Sequence, residues 1–171
     1  MRTGIVLGCF IPLHAGHMSL IARALAENDM TVIAVCGRDS DRGRDYIPFR
    51  DRIRLMTEKY ACGRVKVVAV DDDKIGMDGS FSVSNWERWC TECFDQAGLN
   101  PYDKSNTYTW YTGEPSYAEK IKQIYNDHKM RLVDRQLIPI SGTGIRDNTD
   151  GYRDRIAPEF IDYLKKKGKI S

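Results

Sequence analysis

Near its N-terminus the chain reads Thr3-Gly4-Ile5-Val6-Leu7-Gly8-Cys9-Phe10-Ile11-Pro12-Leu13-His14-Ala15-Gly16-His17, and these residues indicate the fold class. Its first five residues form an apolar run that predicts a buried strand, and the part with glycine and proline predicts a loop. Apolar residues then recur at helical spacing from Met18 to Leu25, so a helix begins close to Gly16. A strand that passes through a short loop into a helix is the first unit of a parallel α/β sheet.

The same alternation continues along the chain. Further strands are predicted for residues 31–36, 65–70, 107–111 and 130–133, and further helices from about residue 49 and over residues 85–97, 118–125 and 158–167. This order implies a Rossmann-like, doubly wound parallel sheet of about five strands with helices on both faces. We find no repeat or linker, so we expect one domain over residues 1–171. Ligands of such sheets bind where the strand order reverses, which points to the loops after the first and fourth strands.

The composition excludes several classes of protein. Twenty-six basic and 24 acidic residues among 171 leave a net charge of +2, without the basic excess of a dedicated nucleic-acid binder. No apolar run reaches the roughly 18 to 20 residues that span a membrane. Five scattered cysteines favour a reducing, cytoplasmic setting over a disulfide scaffold. We therefore expect neither nucleic acid nor a membrane as a partner, and we expect Cys90 and Cys93 to be packed thiols.

The loop after the first strand carries the chemistry. Gly8 allows a sharp turn with a ligand close to the backbone, and Gly16 leaves room at the start of the helix, where N–H groups favour an anion. His14 and His17 are three residues apart, so they can share one side of the first turn and donate hydrogen bonds to a phosphoryl group. The alternatives are two surface histidines in a turn, or a metal site built on the pair without a nearby third ligand.

A second glycine-containing segment, Ile140-Ser141-Gly142-Thr143-Gly144-Ile145-Arg146, lies near the C-terminus. Two hydroxyl residues flank a glycine where a helix can start. Their hydroxyls and the N–H groups could bind phosphate oxygens. Arg146 could reach the same phosphate with a bidentate guanidinium. Taken alone, the pattern is also that of ordinary helix capping.

Together the two segments resemble the nucleotidylyltransferase superfamily. The first has the pattern Gly-x-Phe-x-Pro-x-His-x-Gly-His, and the second has the pattern Ile-Ser-Gly-Thr-x-Ile-Arg. Within the superfamily the chain is similar to the nicotinamide-nucleotide adenylyltransferase domain of NadR-type proteins, with support from residues 47–54, 85–89 and 111–114. The resemblance runs from about residue 3 to about residue 165. It implies an enzyme that transfers AMP from ATP to nicotinamide mononucleotide, forming NAD and pyrophosphate.

The resemblance also implies roles for residues of both segments. His14, His17 and Arg146 are implied as catalytic, with His17 at the transferred α-phosphate. The residues implied to bind ATP come from the two loops: Gly8, Cys9, Phe10, Gly16, Ser141 and Thr143. Magnesium is implied between phosphate oxygens, held by substrate and water without a protein metal site. Because the attacking phosphate oxygen is already ionised, the reaction needs alignment and charge neutralisation rather than a general base.

The acceptor is expected to bind at Trp86, Trp89, Asp39 and Arg50. An indole face suits a flat cationic pyridinium, although two tryptophans three residues apart also fit the core side of a helix. Arg50 belongs to six arginines between positions 38 and 54 that alternate with aspartates, which fits either a phosphate grip or a solvated, self-paired face. Asp39 follows the second strand and could accept a hydrogen bond from a substrate hydroxyl.

Other functions are compatible with the same residues. The acceptor could be another phosphorylated molecule, such as phosphopantetheine or a polyol phosphate, and a non-catalytic nucleotide sensor would keep the same fold. The chain has no Gly-x-x-x-x-Gly-Lys-Ser/Thr run, so we expect it to lack the kinase activity of bifunctional NadR-type proteins. A homo-oligomer is compatible with the sequence.

Overall fold

The computed structural model describes residues 1–38, 47–78, 80, 82–133 and 140–171. Its five strands are β1 (Arg2–Gly8), β2 (Met30–Gly37), β3 (Val65–Asp71), β4 (Thr107–Thr112) and β5 (Lys129–Leu132). The α-helices within the described residues are α1 (Ala15–Glu27), α2 (Phe49–Tyr60), α3 (Val83–Ala97), α4 (Pro115–Ile124), α5 (Gly142–Asp147) and α6 (Pro158–Lys166). A 3-10 helix, Asp150–Arg155, precedes α6. Every predicted strand is present, with its ends moved by one residue at most. Among the residues that the structure describes, no helix is long and apolar enough to cross a bilayer.

The strand order reverses at β1. The sheet is parallel throughout, with the order β3-β2-β1-β4-β5. β1 therefore lies between β2, the next strand in sequence, and β4, the third strand after β1 in sequence. This confirms the predicted doubly wound sheet and places the loops after β1 and β4 on either side of the reversal.

Both faces of the sheet are covered by helices. Alternate side chains of a strand point to opposite faces, and successive residues of β1 and β2 belong to two separate cores. Helices α1, α2 and α6 pack on the face that includes Val6 and Ile33, and α3 and α4 pack on the face that includes Ile5 and Val32. Burial on both faces explains why these strands read as continuous apolar runs instead of alternating ones.

Local signals set the ends of the helices. The hydroxyl of Ser82 caps α3 by accepting a hydrogen bond from the Asn85 N–H, and Gly98 ends the helix with a φ of 66°. Pro115 and Pro158 begin α4 and α6, where the missing N–H costs nothing. The prediction for α4 started three residues too late, and the 3-10 helix Asp150–Arg155 was not predicted because so short an element shows no periodicity.

A buried histidine on the α3–α4 side fixes the end of β5. The indole N–H of Trp110 donates to Nδ1 of His128 at 3.0 Å. Nε2 must therefore carry the proton of the neutral ring, and it donates to the carbonyl of Pro101 at 2.9 Å. The ring also stacks on Tyr125, with 4.5 Å between centroids. Burial lowers the pKa of His128, so the fold holds this ring neutral.

We expect His128 to make stability depend on pH. In the unfolded chain its pKa is about 6.5, so as the pH falls from about 7 to about 5 the unfolded state gains a proton that the folded ring resists. The free energy of unfolding should therefore fall over this range. Urea unfolding of the wild type and of His128→Asn at pH 7 and pH 5.5 measures the effect. The free energy of unfolding of the variant should fall less between these two pH values, because asparagine takes up no proton in the unfolded chain and the other histidines are unchanged. An equal fall in both proteins would refute the conclusion that His128 is held neutral.

Candidate functional site

A cavity of about 490 Å³ opens at the carboxyl ends of β1, β2 and β4, where the reversed strand order predicted a site. Residues at the start of α1, together with the N-cap and residues of the short helix α5, form one side, which we call the histidine wall: His14, Gly16, His17, Ser141, Gly142, Thr143 and Arg146. Side chains of α3 and α4 form the aromatic wall: Trp86, Trp89 and Tyr117. Gly8, Cys9 and Phe10 also line the cavity. The cavity thus combines polar groups suited to an anion with rings suited to a flat ligand.

The two histidines share one side of the first turn of α1, as their spacing predicted. Their rings stack, with 3.8 Å between centroids and 25° between planes. His14 is the N-cap of α1, and its Nδ1 accepts a hydrogen bond from the Gly16 N–H at 3.1 Å. In the neutral ring of His14 the proton therefore lies on Nε2. His17 is half-buried, and its ring packs edge-to-face with the ring of Phe10, with 4.9 Å between ring centroids.

Two glycines make room for rings of the protein itself. Phe10 is fully buried and has a φ of 53°, so the loop folds its ring back beneath Gly8. A Cβ at Gly8 would lie 3.0 Å from that ring, and a Cβ at Gly16 would lie 3.0 Å from Cε1 of His14. The sequence suggested that these glycines let a ligand approach the backbone. The structure adds that a side chain at Gly8 would crowd Phe10 and one at Gly16 would crowd His14.

Arg146 joins the two sequence segments. Its Nη1 donates to the carbonyl of Ile11 at 2.8 Å, and its Nη2 donates to the hydroxyl of Thr143 at 3.2 Å. Ser141 caps α5 by accepting a hydrogen bond from the Gly144 N–H at 3.1 Å. The second segment is therefore both a helix cap and part of the cavity. Because Ile11 belongs to the loop after β1, the histidine wall is one connected unit.

The aromatic wall consists of one core tryptophan and two rings at the surface of the cavity. Trp89 is only 4% exposed and belongs to the core of the α3–α4 side, whereas Trp86 is half-buried. Tyr117 of α4 lies 4.8 Å from Trp86 between ring centroids. Tyr117 was not predicted from the sequence. Its position just after the loop that follows β4, already marked as part of the site, was the signal that could have found it.

Asp39 and Arg50 are the two polar residues that were predicted to bind the acceptor. Asp39 lies outside the described residues. Arg50 is exposed on α2 and is not among the lining residues of the cavity within the described chain, because the neighbouring Phe49 turns the apolar side of the helix to the sheet. Arg38 lines the cavity instead, where its guanidinium contacts Asp73 at 3.1 Å and the carbonyl of Met77 at 3.2 Å.

Arg52 holds two loops of the site in place. Its side chain is buried, at 1% exposure. It donates to the carbonyls of Cys9 at 2.8 Å, Cys36 at 3.2 Å, Arg38 at 3.2 Å and Ile47 at 3.1 Å. The ends of β1 and β2 are thereby tied to the start of α2. In the sequence Arg52 is one of six arginines between positions 38 and 54, and this structural role was not predicted for it.

Two carboxylates, Asp72 and Glu114, also line the cavity. Across the described residues, however, no three His, Cys, Asp or Glu side chains come together as a metal site. The histidine pair therefore has no third protein ligand among these residues. Its position at a helix N-terminus beside a guanidinium suits an anion better than a metal ion.

Comparisons with known proteins agree with this geometry. A family model described as cytidylyltransferase-like matches residues 5–148. The trifunctional NAD biosynthesis/regulator protein NadR of Salmonella typhimurium is 29% identical over 180 residues, covering 94% of this chain and 40% of that protein. A probable nicotinate-nucleotide adenylyltransferase of Gluconobacter oxydans is 28% identical over 118 residues, which cover 52% of this chain and 60% of the length of that protein.

Two solved structures share the fold. NadR in complex with NR has a TM-score of 0.75, and NadR in complex with NAD and AMP-PNP has a TM-score of 0.73, both at 28% identity and 93% coverage of this chain. The chain covers 44% and 45% of those two structures, so it spans less than half the length of these relatives. The resemblance to NadR-type proteins seen in the sequence is confirmed.

We expect Arg52 to matter for stability far more than its neighbour on the same helix. Arg52→Met should lower the free energy of unfolding by at least about 2 kcal/mol, because buried carbonyls lose their donors. Arg54→Met is the matched control. Arg54 is half-exposed and pairs with Asp51 and Glu58, so its loss should cost no more than about 1 kcal/mol. Urea unfolding at pH 7 compares them, and similar losses would show that Arg52 does not hold the loops.

Proposed function

The chain belongs to the cytidylyltransferase-like family and is a nucleotidyltransferase, and from this premise we propose that it is a nicotinamide-nucleotide adenylyltransferase. In the proposed reaction AMP passes from ATP to nicotinamide mononucleotide, giving NAD and pyrophosphate. One observation carries the proposal: the stacked pair His14 and His17 opens α1 and is joined, through the carbonyl of Ile11, to Arg146. Cationic and N–H donors thus converge on one wall of the cavity.

The histidine wall suits a triphosphate. The start of α1 presents N–H groups and the positive end of its dipole. His17 would donate to the α-phosphate, and Ser141, Thr143 and Arg146 would hold the β- and γ-phosphates. NadR has been solved with AMP-PNP, an ATP analogue, and with NAD, which supports a nucleotide in the corresponding cavity here.

The transfer itself is a displacement at phosphorus. A phosphate oxygen of the mononucleotide attacks the α-phosphorus of ATP, and the bond from that phosphorus to the oxygen of the β-phosphate breaks. The attacking oxygen is ionised at neutral pH, so the protein needs no base. Its task is to align the two anions and to stabilise the charge that grows on the leaving pyrophosphate. A magnesium ion would be held by phosphate oxygens and water, and it would neutralise part of this charge.

The aromatic wall suits the acceptor. A pyridinium ring is flat and positively charged, and it is attracted to the faces of electron-rich rings. Trp86 and Tyr117 offer two such rings, and Glu114, which also lines the cavity, adds a carboxylate. The solved complex of NadR with NR supports a nicotinamide-type acceptor. Trp89 would act by packing beneath Trp86, from which it lies 6.0 Å between ring centroids.

Pyrophosphate release with ATP and a panel of acceptors tests the proposal. Nicotinamide mononucleotide should give the highest kcat/KM, with NAD as the product. Turnover with phosphopantetheine or a polyol phosphate but with neither pyridine mononucleotide would refute the proposal and favour another acceptor. Binding of ATP without turnover on any acceptor would instead indicate a nucleotide sensor. The panel includes nicotinate mononucleotide, because the relative from Gluconobacter oxydans is named for that substrate.

We expect His17→Ala to lower kcat by about 100-fold or more, the scale for loss of one transition-state donor. His17→Gln keeps a side-chain N–H and should lose less. Single-turnover NAD formation, with melting temperatures recorded for both variants, separates a chemical effect from misfolding. A rate within a few-fold of wild type for a folded His17→Ala protein would remove His17 from the catalytic residues.

We expect Trp86→Ala to raise KM for nicotinamide mononucleotide by roughly fivefold to tenfold, since a partly buried cation–π contact is worth about 1 to 1.4 kcal/mol. The KM for ATP should change much less. Trp86→Phe should restore most of the affinity. Tyr102→Ala is the control, because Tyr102 is a 65% exposed aromatic residue that does not line the cavity. Equal changes in both KM values would show that Trp86 does not contact the acceptor.

A further inference from the structure

Two cysteine side chains face each other within the cavity. The Sγ atoms of Cys9 and Cys36 lie 3.9 Å apart. Both residues are half-buried, and both line the cavity. β1 and β2 pair in register as far as Gly8 opposite Val35, and Cys9 and Cys36 are the residues that follow this pair.

This arrangement fits the backbone spacing of a disulfide. Neighbouring strands lie about 4.8 Å apart, and disulfides join residues whose Cα atoms are roughly 4.4 to 6.8 Å apart. The two sulfurs need to approach each other by less than about 2 Å to reach the bonded distance of about 2.05 Å. Rotation of the two side chains and a small shift of the loop after β1 can supply this movement.

The other cysteines lack this combination of proximity and access. Cys90 and Cys93 are buried in α3, where burial raises the pKa of Cys93 to about 12, so both behave as the packed thiols that the sequence predicted. Cys62 is exposed and lies at the turn before β3, outside the cavity. Cys9 and Cys36 are thus the pair that an oxidant in the cavity would reach.

We propose that Cys9 and Cys36 are a redox modification site: a small disulfide such as glutathione disulfide converts them to an intramolecular disulfide that inhibits the enzyme. The formation of the bond follows from the positions of the two thiols. Only its effect on adenylyl transfer rests on the proposed function. The two parts can therefore be tested separately.

The chemistry is ordinary thiol–disulfide exchange. The Cys9 thiolate attacks one sulfur of glutathione disulfide, which forms a mixed disulfide and releases one glutathione thiolate. Cys36 then gives up its proton, and its sulfur attacks Sγ of Cys9 and expels the second glutathione. Two thiols are oxidised by two electrons, and one disulfide is reduced to two glutathione molecules. The hydrogen bond with Cys9 and burial raise the pKa of Cys36, which favours Cys9 as the first nucleophile.

The disulfide would disturb the histidine wall through the backbone. The carbonyl of Cys9 accepts a hydrogen bond from Arg52 at 2.8 Å. The ring of the next residue, Phe10, packs against the ring of His17, with 4.9 Å between their centroids. A movement of Cys9 toward β2 therefore passes to Phe10 and to the ring proposed to meet the α-phosphate. A misplacement of about 1 Å in such an alignment can cost roughly 100-fold in rate, so we expect at least a tenfold loss.

The experiment uses the full chain with Cys62→Ser, which prevents pairing through the exposed thiol. The protein is equilibrated in glutathione buffers from fully reduced to fully oxidised, then alkylated and digested. We expect a peptide cross-linked between Cys9 and Cys36, and a mass lower by two hydrogens. The pyrophosphate release rate should fall at least about tenfold and recover with dithiothreitol. Saturating AMP-PNP should slow the cross-link by shielding the cavity.

The comparison is the ratio of oxidised to reduced activity for each variant. Cys36→Ser should give no internal cross-link and should instead trap glutathione on Cys9, seen as a mass increase of one glutathione. Cys9→Ser removes the first nucleophile and should keep a ratio close to one, and Cys90→Ala/Cys93→Ala should retain the wild-type loss. Absence of the Cys9–Cys36 cross-link in oxidised protein would overturn the modification site. A cross-link with unchanged activity would overturn the inhibition. If the reduced protein turned over no acceptor, the proposed function would fail, and AMP-PNP affinity of the two redox forms would then decide the effect of the bond.

Discussion

The reversal of strand order at β1 determines where the cavity forms and which helices line it. From the end of β1 the chain passes to α1 on one face of the sheet, and from the end of β4 it passes to α4 on the other face. The two connections diverge, so neither fills the space between the strand ends. The walls of the resulting cavity come from opposite faces, which is why one side carries the start of α1 and the other carries rings of α3 and α4.

A crevice at a strand reversal becomes a precise site only when its loops are fixed. Two arginines distant in sequence hold the backbone of the loop after β1, since Arg146 donates to the carbonyl of Ile11 and Arg52 donates to the carbonyl of Cys9. Both side chains act on a segment of three residues that ends three positions before His14. Their charge therefore contributes to the field of the site while their hydrogen bonds define its shape.

The sequence predicted the parts of this protein that depend on local patterns. Short runs rich in apolar residues located the five predicted strands, and the three-residue spacing placed His14 and His17 on one side of α1. Long-range packing was harder to predict, since the contact of Tyr117 with Trp86 joins two helices. Arg52 was also missed, although it lies three residues after Phe49 and four before Met56, on the buried side of α2. Among six arginines, the helical phase was the signal that separated it from the others.

A net charge of +2 is no obstacle to a ligand as anionic as ATP, because the charges of the cavity are arranged locally. The histidine wall gathers Arg146, His14, His17 and the start of α1, whereas Asp72 and Glu114 line other parts of the cavity. In the proposed reaction the triphosphate would meet the cationic wall, and the positively charged pyridinium would meet rings and carboxylates. Electrostatic interactions in a site that excludes water act strongly over such short distances. The placement of a few groups, more than the total charge, would therefore orient both substrates before any bond is broken.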